Sequence, residues 1–387
     1  MATTVSAIPF TGVPFPRSAY DRRRERVFEA MARAELDALV VTAHGHLRYL
    51  TGYDGRGGYF APFPLILVPG RAPTYVVREY EVQAVRANSC IDEFVPYTQQ
   101  YDFAKVCAGV LKGYGVQRGR IGLELGCWNL APNDVSALQG QLPEAKMGDA
   151  TGLVALIAAV KTELELEAMR EAMVFTDIAV QTFNLSIREG ATELEVFKTM
   201  EAQVEKAGGE IRIASVTLLF GERTKIPHGF PARNPIKKNE PAFMELGGSK
   251  NGYTAGLVRS AVLGAHPEAE SLHAVAVEAL EAGIAAIKPG VTAGQVDAAV
   301  RRVINRSGRP ELFRHRAGYQ TGIHWTERGN LSLEPDSADI LQTGMTVHLP
   351  VILFGESGYL FGCSENVVVT EKGAQALSRT PHTLFRA

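Results

Sequence analysis

The second half of the chain repeats one order of elements, and this repeat restricts the fold more than any other feature of the sequence. Three capping boxes, each a threonine followed three residues later by Glu or Gln, open helices at Thr162, Thr192 and Thr292. Strand-like segments follow each pair of helices, around residues 241–262 and 344–370. The order helix, helix, strands therefore occurs twice. We expect an internal pseudo-duplication in which two helices back a sheet twice over.

The first part of the chain alternates helical segments with short apolar strands such as "LDALVVT", "FPLILVPG" and "RIGLELG". This alternation is typical of an α/β domain and continues to about residue 155. A length of 387 residues is consistent with two domains. The sequence thus predicts an α/β domain over 1–155 and a second, α+β domain over 156–387.

Composition excludes several classes of function. Forty Lys and Arg stand against 42 Asp and Glu, so the chain has no charge excess that favours nucleic acid or an anionic membrane. No apolar run reaches the ~20 residues of a membrane span, and the N-terminal segment lacks the apolar core of a signal peptide. The four cysteines are scattered without a CxxC pair. We expect a soluble cytoplasmic protein whose partner is a small-molecule substrate, with neither nucleic acid nor membrane bound.

Common catalytic motifs are absent, but four blocks occur in a recognisable order. They are "IPHGFPARNPIKKNEPAFMELGGSKNGYTAGLVRSAVLG", "HRAGYQTGIHWTERG", "GMTVHLPVILF" and "GCSENVVVTEKG". With "KTELELEAMREA" ahead of them, these blocks resemble the pita-bread family, which includes creatinase, aminopeptidase P and prolidase. The resemblance covers nearly the whole chain. It implies a creatinase-type N-terminal α/β domain and a C-terminal pita-bread α+β catalytic domain.

The peptidases of this family hold two metal ions with five side chains, and the resemblance assigns those five places to residues of this chain. They fall on Glu245, Gly256, Tyr319, Leu349 and Glu365. Glycine and leucine offer no donor atom, and a neutral tyrosine is a poor ligand for a divalent ion. The ligand set is therefore mostly lost, and we expect no metal and no other cofactor.

Within the family, the chain most resembles the ectoine hydrolases, which open a cyclic amidine ring. The resemblance to creatinase, which works without metal, implies catalytic roles for His228 and Glu365, although the place of creatinase's other glutamate falls on Val258. A glutamate near the end of an apolar strand is costly to bury alone. Glu245 is therefore expected either to pair with Arg259 or to act on a ligand.

The sequence hypothesis assigns a role to each candidate. Glu245 attacks the amidine carbon or activates the water that does, His228 moves protons to the leaving nitrogen, and Glu365 holds the cationic amidinium. Substrate contacts are expected from five further residues: Tyr253, Tyr319, His324, Arg56 and Tyr59. His348 is expected to be structural or to support the site from behind.

The last two of these candidates, Arg56 and Tyr59, lie in a glycine-rich loop. The family resemblance implies that this loop reaches the active site of a partner subunit, so we expect a homodimer. Two alternatives to a metal-independent hydrolase of a non-peptide C–N bond stay open. One is a metallopeptidase of the Xaa-Pro dipeptidase type, and the other is a small-ligand binding protein without catalytic activity.

Overall fold

The computed structural model describes residues 12–54, 62–98, 102–212, 216–323, 325 and 330–387. The chain divides into two compact units and passes from the first to the second between Ala158 and Ala159. Within the described ranges, no helix is long and apolar enough to cross a membrane.

The first unit is built on a six-stranded sheet of order β4–β3–β2–β1–β5–β6. Strand β2 is antiparallel to both of its neighbours, and the other pairs are parallel. The strands are β1 (Ala38–Val41), β2 (Leu65–Leu67), β3 (Thr74–Arg78), β4 (Glu93–Tyr97), β5 (Arg120–Leu123) and β6 (Lys146–Asp149). The helices are α1 (Arg17–Arg33), α2 (His44–Thr51), α3 (Val82–Asn88), α4 (Phe103–Gly113), α5 (Pro132–Gln141) and α6 (Thr151–Ala159).

The second unit holds two five-stranded sheets, of order β16–β10–β9–β7, with β8 also paired to β9, and β12–β11–β13–β14–β15. Its helices are α7 (Glu163–Ser186), α8 (Glu193–Lys206), α9 (Pro267–Ala286) and α10 (Ala293–Arg306). The strands of the first sheet are β7 (Glu210–Ile211), β8 (Thr217–Phe220), β9 (Pro241–Lys250), β10 (Tyr253–Val262) and β16 (Phe385–Arg386). Those of the second are β11 (Gly318–Gln320), β12 (Ser332–Leu333), β13 (Thr346–Phe354), β14 (Leu360–Thr370) and β15 (Gly373–Ala376).

The repeat that the sequence predicts is present down to single hydrogen bonds. All three capping boxes form, with the threonine hydroxyl and the Glu or Gln side chain each bonded to the other's backbone N–H. In the loop between α7 and α8, the N–H of Gly190 donates to the carbonyl of Ile236 at 3.0 Å. In the loop between α9 and α10, the N–H of Gly290 donates to the carbonyl of Leu341 at 2.9 Å. Each helix pair is thus fixed to the chain ahead of its hairpin in the same way.

Alternation along β13 and β14 decides which side chains reach the site. The strands pair antiparallel, with Leu349 opposite Glu365 and Pro350 opposite Ser364. Residues directly opposite each other share a face, and successive residues point to opposite faces. Even-numbered residues such as Pro350 border a cavity, whereas odd-numbered ones such as Leu349 join the core with apolar side chains of α9 and α10.

Candidate active site

A cavity of about 610 Å³ lies within the second unit, between its two sheets. Its wall is formed by strands β8, β9, β13 and β14, by the segment that follows a 3-10 helix at Gly221–Lys225, and by residues on either side of β11. The lining residues are mainly apolar or aromatic, with a few polar groups: Val216, Thr217, Pro227, His228, Phe230, Phe243, Glu245, Arg314, His315, Arg316, Tyr319, Trp325, Pro350, Ile352, Phe354 and Leu360. This composition is typical of a small-molecule site.

Glu245 is the one carboxylate among the described residues that line this cavity. It lies on β9 opposite Val258 of β10. Its carboxylate has no hydrogen-bond or ion-pair partner in the described part of the chain, and burial raises the pKa of Glu245 to about 7. Of the two alternatives for Glu245, the pair with Arg259 does not form. The guanidinium of Arg259 donates instead to backbone carbonyls, among them those of Ser364 and Thr380, because successive β10 residues point to opposite faces.

A chain of buried hydrogen bonds leads to the cavity beside Glu245. The N–H of Val258 donates to Ser364 Oγ at 2.7 Å, and Ser364 Oγ lies 2.8 Å from His348 Nε2. On the other side of the ring, His348 Nδ1 lies 3.2 Å from Tyr319 Oη, and Trp325 Nε1 donates to the same oxygen at 2.8 Å. Burial first, and the charge of Glu245 next, raise the pKa of Tyr319. The phenol is thus held firmly and stays protonated.

The indole of Trp325 occupies the space beside Gly256. A Cβ atom at Gly256 would lie 1.8 Å from the indole carbon Cη2, and one at Gly247 would lie 2.5 Å from Cζ3. Those two glycines are opposite each other on β10 and β9. Trp325 holds this position with a φ of +73°, which is rare for a bulky residue and costs conformational energy. The place where the family resemblance sets a metal-binding aspartate is therefore filled by an aromatic ring.

The faces of β13 and β14 show that two of the ligand places assigned from the motifs do not point into the cavity. The motifs assigned them to Leu349 and Glu365, but both residues point away from the cavity, and the adjacent residues Pro350 and Ser364 are on its face. The error is one residue, which is enough to exchange the two faces of a strand. Neither proline nor serine supplies a carboxylate there. No cluster of three or more His, Cys, Asp and Glu side chains that could hold a metal ion is found in the ranges described. The residues present do not fit the two-metal centre of the peptidases.

Glu365 is an anchor for the C-terminal segment. One of its oxygens accepts from the backbone N–H groups of Asn366 and Ser378, at 2.9 and 3.2 Å. The other accepts from the Ser378 hydroxyl and lies 3.2 Å from His382 Nε2. With 1% of its surface exposed, Glu365 does not meet Glu245 across the cavity. The structure thus does not support the expected contact between Glu365 and a substrate amidinium.

His228 borders the cavity, as its predicted catalytic role requires. It is exposed and has a φ of +58°. The loop around it is fixed by Glu193, a buried carboxylate that accepts from Arg223 Nε and from the N–H of Ala232 at 2.8 Å. The ring therefore lies at the mouth of the cavity on a supported loop, where it can exchange protons with solvent.

The other predicted contacts divide into two groups. Tyr319 lines the cavity, whereas Tyr253 is 1% exposed and donates its hydroxyl proton to Glu165 Oε1 at 2.6 Å. Tyr253 is not among the residues that border the cavity. Arg56, Tyr59 and His324 lie outside the described residues.

Two arginines that sequence reasoning missed also line the cavity. The guanidinium carbon of Arg314 is 4.6 Å from the ring centroid of Phe354, and that of Arg316 is 4.3 Å from that of Tyr319. Neither forms an ion pair with a carboxylate in the described ranges. Ser364 lies on the cavity face of β14, but that strand is buried on both faces, so its sequence does not indicate which residues point to the site. The arginines lie outside regular strands, so no periodicity in the sequence indicated their direction.

The first unit is an α/β domain, and the second is a pseudo-duplicated α+β domain that contains the cavity. This is the pita-bread architecture. The Creatinase/Prolidase N-terminal domain matches residues 23–159, and Metallopeptidase family M24 matches residues 167–371. The chain belongs to the M24 family, which confirms the predicted family and fold.

Individual relatives point to hydrolysis but to different substrates. The chain is 29% identical to an uncharacterized hydrolase/peptidase of Sinorhizobium fredii, over 96% of this chain and 97% of that protein. It is 25% identical to the ectoine hydrolase of Halomonas elongata, over 96% and 98%. The crystal structure of dipeptidase PepE from Mycobacterium ulcerans matches the fold with a TM-score of 0.85 at 23% identity, over 96% of this chain and 99% of that one. A hydrolase of the M24 family is therefore supported.

Proposed function

We propose that the protein hydrolyses a non-peptide C–N bond in a small cationic compound without a metal ion, with a cyclic amidine such as ectoine as the best candidate. The observation that carries this proposal is Glu245: a single unpaired carboxylate in an aromatic cavity, beside a ligand place that Trp325 has filled. A two-metal peptidase polarises its substrate carbonyl with its ions. This site has to work on a carbon that is already electrophilic, and an amidinium carbon meets that requirement.

The cationic end of such a substrate is matched by Glu245. A half-buried carboxylate without a partner gains most from a cation that donates hydrogen bonds to it. Aromatic side chains around the cavity, including Phe230, Phe243 and Trp325, add faces to which a cation is attracted. Together these groups favour an amidinium or a similar delocalised cation over a neutral peptide.

The same cavity supplies partners for an anionic group. Arg314 and Arg316 are held against aromatic rings, and their guanidinium groups have no carboxylate partner in the described ranges. Guanidinium groups bind carboxylates with paired hydrogen bonds. A zwitterion, with an amidinium at one end and a carboxylate at the other, therefore fits the charges of the cavity better than a simple cation does.

The proposed reaction consumes one water. Water adds to the amidinium carbon while Glu245 takes one of its protons; a pKa of about 7 makes this carboxylate a base suited to neutral pH. The C–N bond then breaks, its electron pair goes to the nitrogen, and the nitrogen receives two protons, which replace the one taken by Glu245 and the one that leaves the new hydroxyl group. His228, at the mouth, is the residue that exchanges protons with solvent in this scheme. The products are an amide and an ammonium group. Direct attack by Glu245, giving a covalent intermediate that water then hydrolyses, satisfies the same geometry.

Mass spectrometry of a substrate panel tests the proposal. The wild-type protein is incubated with ectoine, with the same ring lacking its carboxylate, and with Xaa-Pro dipeptides, each with and without a chelator. We expect ring opening of ectoine that survives chelation, slower opening of the ring without its carboxylate, and no dipeptide cleavage. Cleavage confined to the dipeptides would instead support a peptidase, and binding of ectoine without product would support a binding protein.

The substitution Glu245→Gln tests whether turnover depends on the carboxylate of Glu245 or only on the shape of the cavity. The variant keeps the size of the side chain but removes its charge and its basicity, so turnover should fall by at least about 10²-fold, the range typical of a lost general base. The matched control is Glu311→Gln, at an exposed position outside the cavity lining, which should retain wild-type turnover. Full activity in Glu245→Gln would show that the site has been misread.

A further inference from the structure

The hydrogen-bond chain behind the cavity has a definite direction. Its members are Val258, Ser364, His348, Tyr319 and Trp325, and Ser364 and His348 are both fully buried. The backbone N–H at one end and the indole N–H at the other can only donate. The serine hydroxyl, the imidazole and the phenol can each donate and accept, so their orientation follows from counting donors.

Each of the two possible arrangements leaves one hydroxyl proton without an acceptor among the described residues: that of Ser364, which is fully buried, or that of Tyr319, which borders the cavity. Burial, and then the charge of Arg259, lower the pKa of His348 to about 3, so the ring is neutral and carries one proton. If that proton were on Nε2, it would donate to Ser364 Oγ, and the hydroxyl proton of Ser364 would have no acceptor among the described residues. A buried donor without an acceptor is costly. The hydroxyl of Ser364 therefore donates to Nε2, and Nδ1–H donates to Tyr319.

This direction leaves the proton of Tyr319 available. The phenol oxygen accepts from His348 Nδ1 and from Trp325 Nε1, so both of its lone pairs are used. Its own O–H has no acceptor in the described part of the chain, and Tyr319 borders the cavity together with Glu245. Among the hydrogen-bonding groups of this network, the hydroxyl proton of Tyr319 is thus the donor that remains available to a ligand in the cavity.

We propose that Tyr319 is the electrophilic group of the site: its O–H donates a hydrogen bond to the substrate oxygen that gains negative charge as the tetrahedral intermediate collapses. This inference rests on the proposed function. The oxygen is the one delivered by water, and it becomes the carbonyl of the amide product as its second proton leaves and the C–N bond breaks. Tyr319 keeps its own proton throughout. Ser364, His348 and Trp325 are positioning residues that fix the direction of the hydroxyl.

The arrangement takes over a task that metal ions perform in the family's two-metal peptidases. A preorganised donor aimed at developing charge stabilises the transition state without reorganisation at the moment of reaction. The two hydrogen bonds that Tyr319 accepts draw electron density from its oxygen and strengthen the bond that it donates. A neutral histidine at this place has a single acceptor nitrogen, so it could not accept from both His348 and Trp325 as the phenol oxygen does.

The direction of the hydrogen bonds from Ser364 through His348 to Tyr319 can be measured without any substrate. In protein labelled with ¹⁵N-histidine, the NMR shifts of the two ring nitrogens report which one is protonated. We expect His348 to be the Nδ1–H tautomer, with the signals assigned by their disappearance in His348→Gln. In Ser364→Ala, a smaller change that serves if His348→Gln does not fold, the same signals should shift toward a mixture of tautomers. The Nε2–H tautomer in the wild-type protein would overturn the inference.

Kinetics then test the role of the hydroxyl. Tyr319→Phe should lower kcat by about 10²–10³-fold, the effect of removing one oxyanion donor, while KM changes little. Ser364→Ala should lower kcat less and leave KM unchanged, because it acts through His348. The matched control is Tyr359→Phe, whose hydroxyl donates to Glu222 away from the cavity lining; it should retain wild-type kcat.

The outcomes separate the two proposals. A wild-type protein that opens amidines with an unchanged kcat in Tyr319→Phe contradicts the role of Tyr319 and leaves the proposed function in place. A wild-type protein that opens no amidine contradicts the proposed function, and the tautomer of His348 then decides the inference alone.

Discussion

Replacing Glu245 with glutamine should stabilise the second unit at alkaline pH while it abolishes turnover. The carboxylate has no partner, and burial raises its pKa to about 7 from the ordinary 4.5. Between these two values the folded protein retains a proton that the unfolded chain has already lost. Stability therefore falls as the pH rises from 4.5 to 7 and stays at the lower level above that range. The charge of Glu245 is thus expected to destabilise the folded protein at neutral and alkaline pH.

The size of the effect follows from the separation of the two pKa values. At about 1.4 kcal/mol for each pH unit, the interval from 4.5 to about 7 corresponds to about 3 kcal/mol. Glutamine keeps the shape and removes the charge. We therefore expect Glu245→Gln to raise the free energy of unfolding by about 3 kcal/mol at pH 8 and by less than about 1 kcal/mol at pH 5.

Tryptophan fluorescence gives a selective assay. The chain has two tryptophans, and only Trp325 is in the second unit, so a Trp128→Phe background reports the unfolding of that unit alone. Urea unfolding is measured at pH 5 and at pH 8, with and without Glu245→Gln. Glu365→Gln is the matched control, because that carboxylate accepts four hydrogen bonds. It should be destabilised at both pH values by about 1–3 kcal/mol. If Glu245→Gln gains nothing at pH 8, or gains equally at both pH values, the assignment of Glu245 as an unpaired, half-buried carboxylate is refuted.

Four further outcomes are expected. Gly256→Ala should displace the indole of Trp325, shift its fluorescence and reduce turnover at least tenfold. The control Gly109→Ala, whose Cβ meets nothing within 4 Å, should have none of these effects. A Gly256→Ala variant with unchanged fluorescence and turnover would contradict the packing of that ring. Binding of the ectoine ring without its carboxylate should weaken about tenfold for each pH unit below 7 in calorimetry, because the cation needs Glu245 deprotonated; a flat profile would exclude Glu245 as its partner. Elemental analysis should find far less than one equivalent of transition metal, and activity should survive chelation; loss on chelation and recovery with metal would show a metalloenzyme. Light scattering should show a homodimer, and a monomer would contradict the expected role of the loop with Arg56 and Tyr59.

Much of the fold follows from local signals in the sequence. A capping box states where a helix begins, because two backbone N–H groups and two side chains satisfy each other within four residues. All three boxes form where the sequence places them. Helix α2 carries no such signal, since it begins without a side-chain cap and its eight residues are too few for a periodic pattern to stand out.

The candidate site was predicted in part, and the errors have physical causes. Glu245, His228 and Tyr319 lie in one cavity, as the motifs indicated. Glu365 does not line that cavity. The sequence did not indicate this, because β13 and β14 are buried on both faces and their residues do not alternate between apolar and polar. Without that alternation, the sequence does not show which of two neighbouring residues faces the cavity.

Trp325 was missed for a related reason. Its importance arises from the space beside two glycines on neighbouring strands, and that space exists only after β9 and β10 have paired. The sequence contains both glycines and the tryptophan but nothing that relates them. His348 was expected to be structural or to support the site from behind, but its partners Ser364 and Tyr319 are visible only in the structure.

The packing of Trp325 on Gly256 limits which substitutions this site can accept one at a time. An aspartate introduced at position 256 would meet the indole before it could meet a metal ion, since even a Cβ atom lies 1.8 Å from the ring. Removing the indole first would take away the hydrogen bond to Tyr319 and leave a void against the two glycines. Either single substitution disturbs the packing or the hydrogen bonding of the present cavity, and neither supplies the ligand set of a two-metal centre. Residues elsewhere in the cavity wall can therefore vary more readily than the pair formed by Trp325 and Gly256.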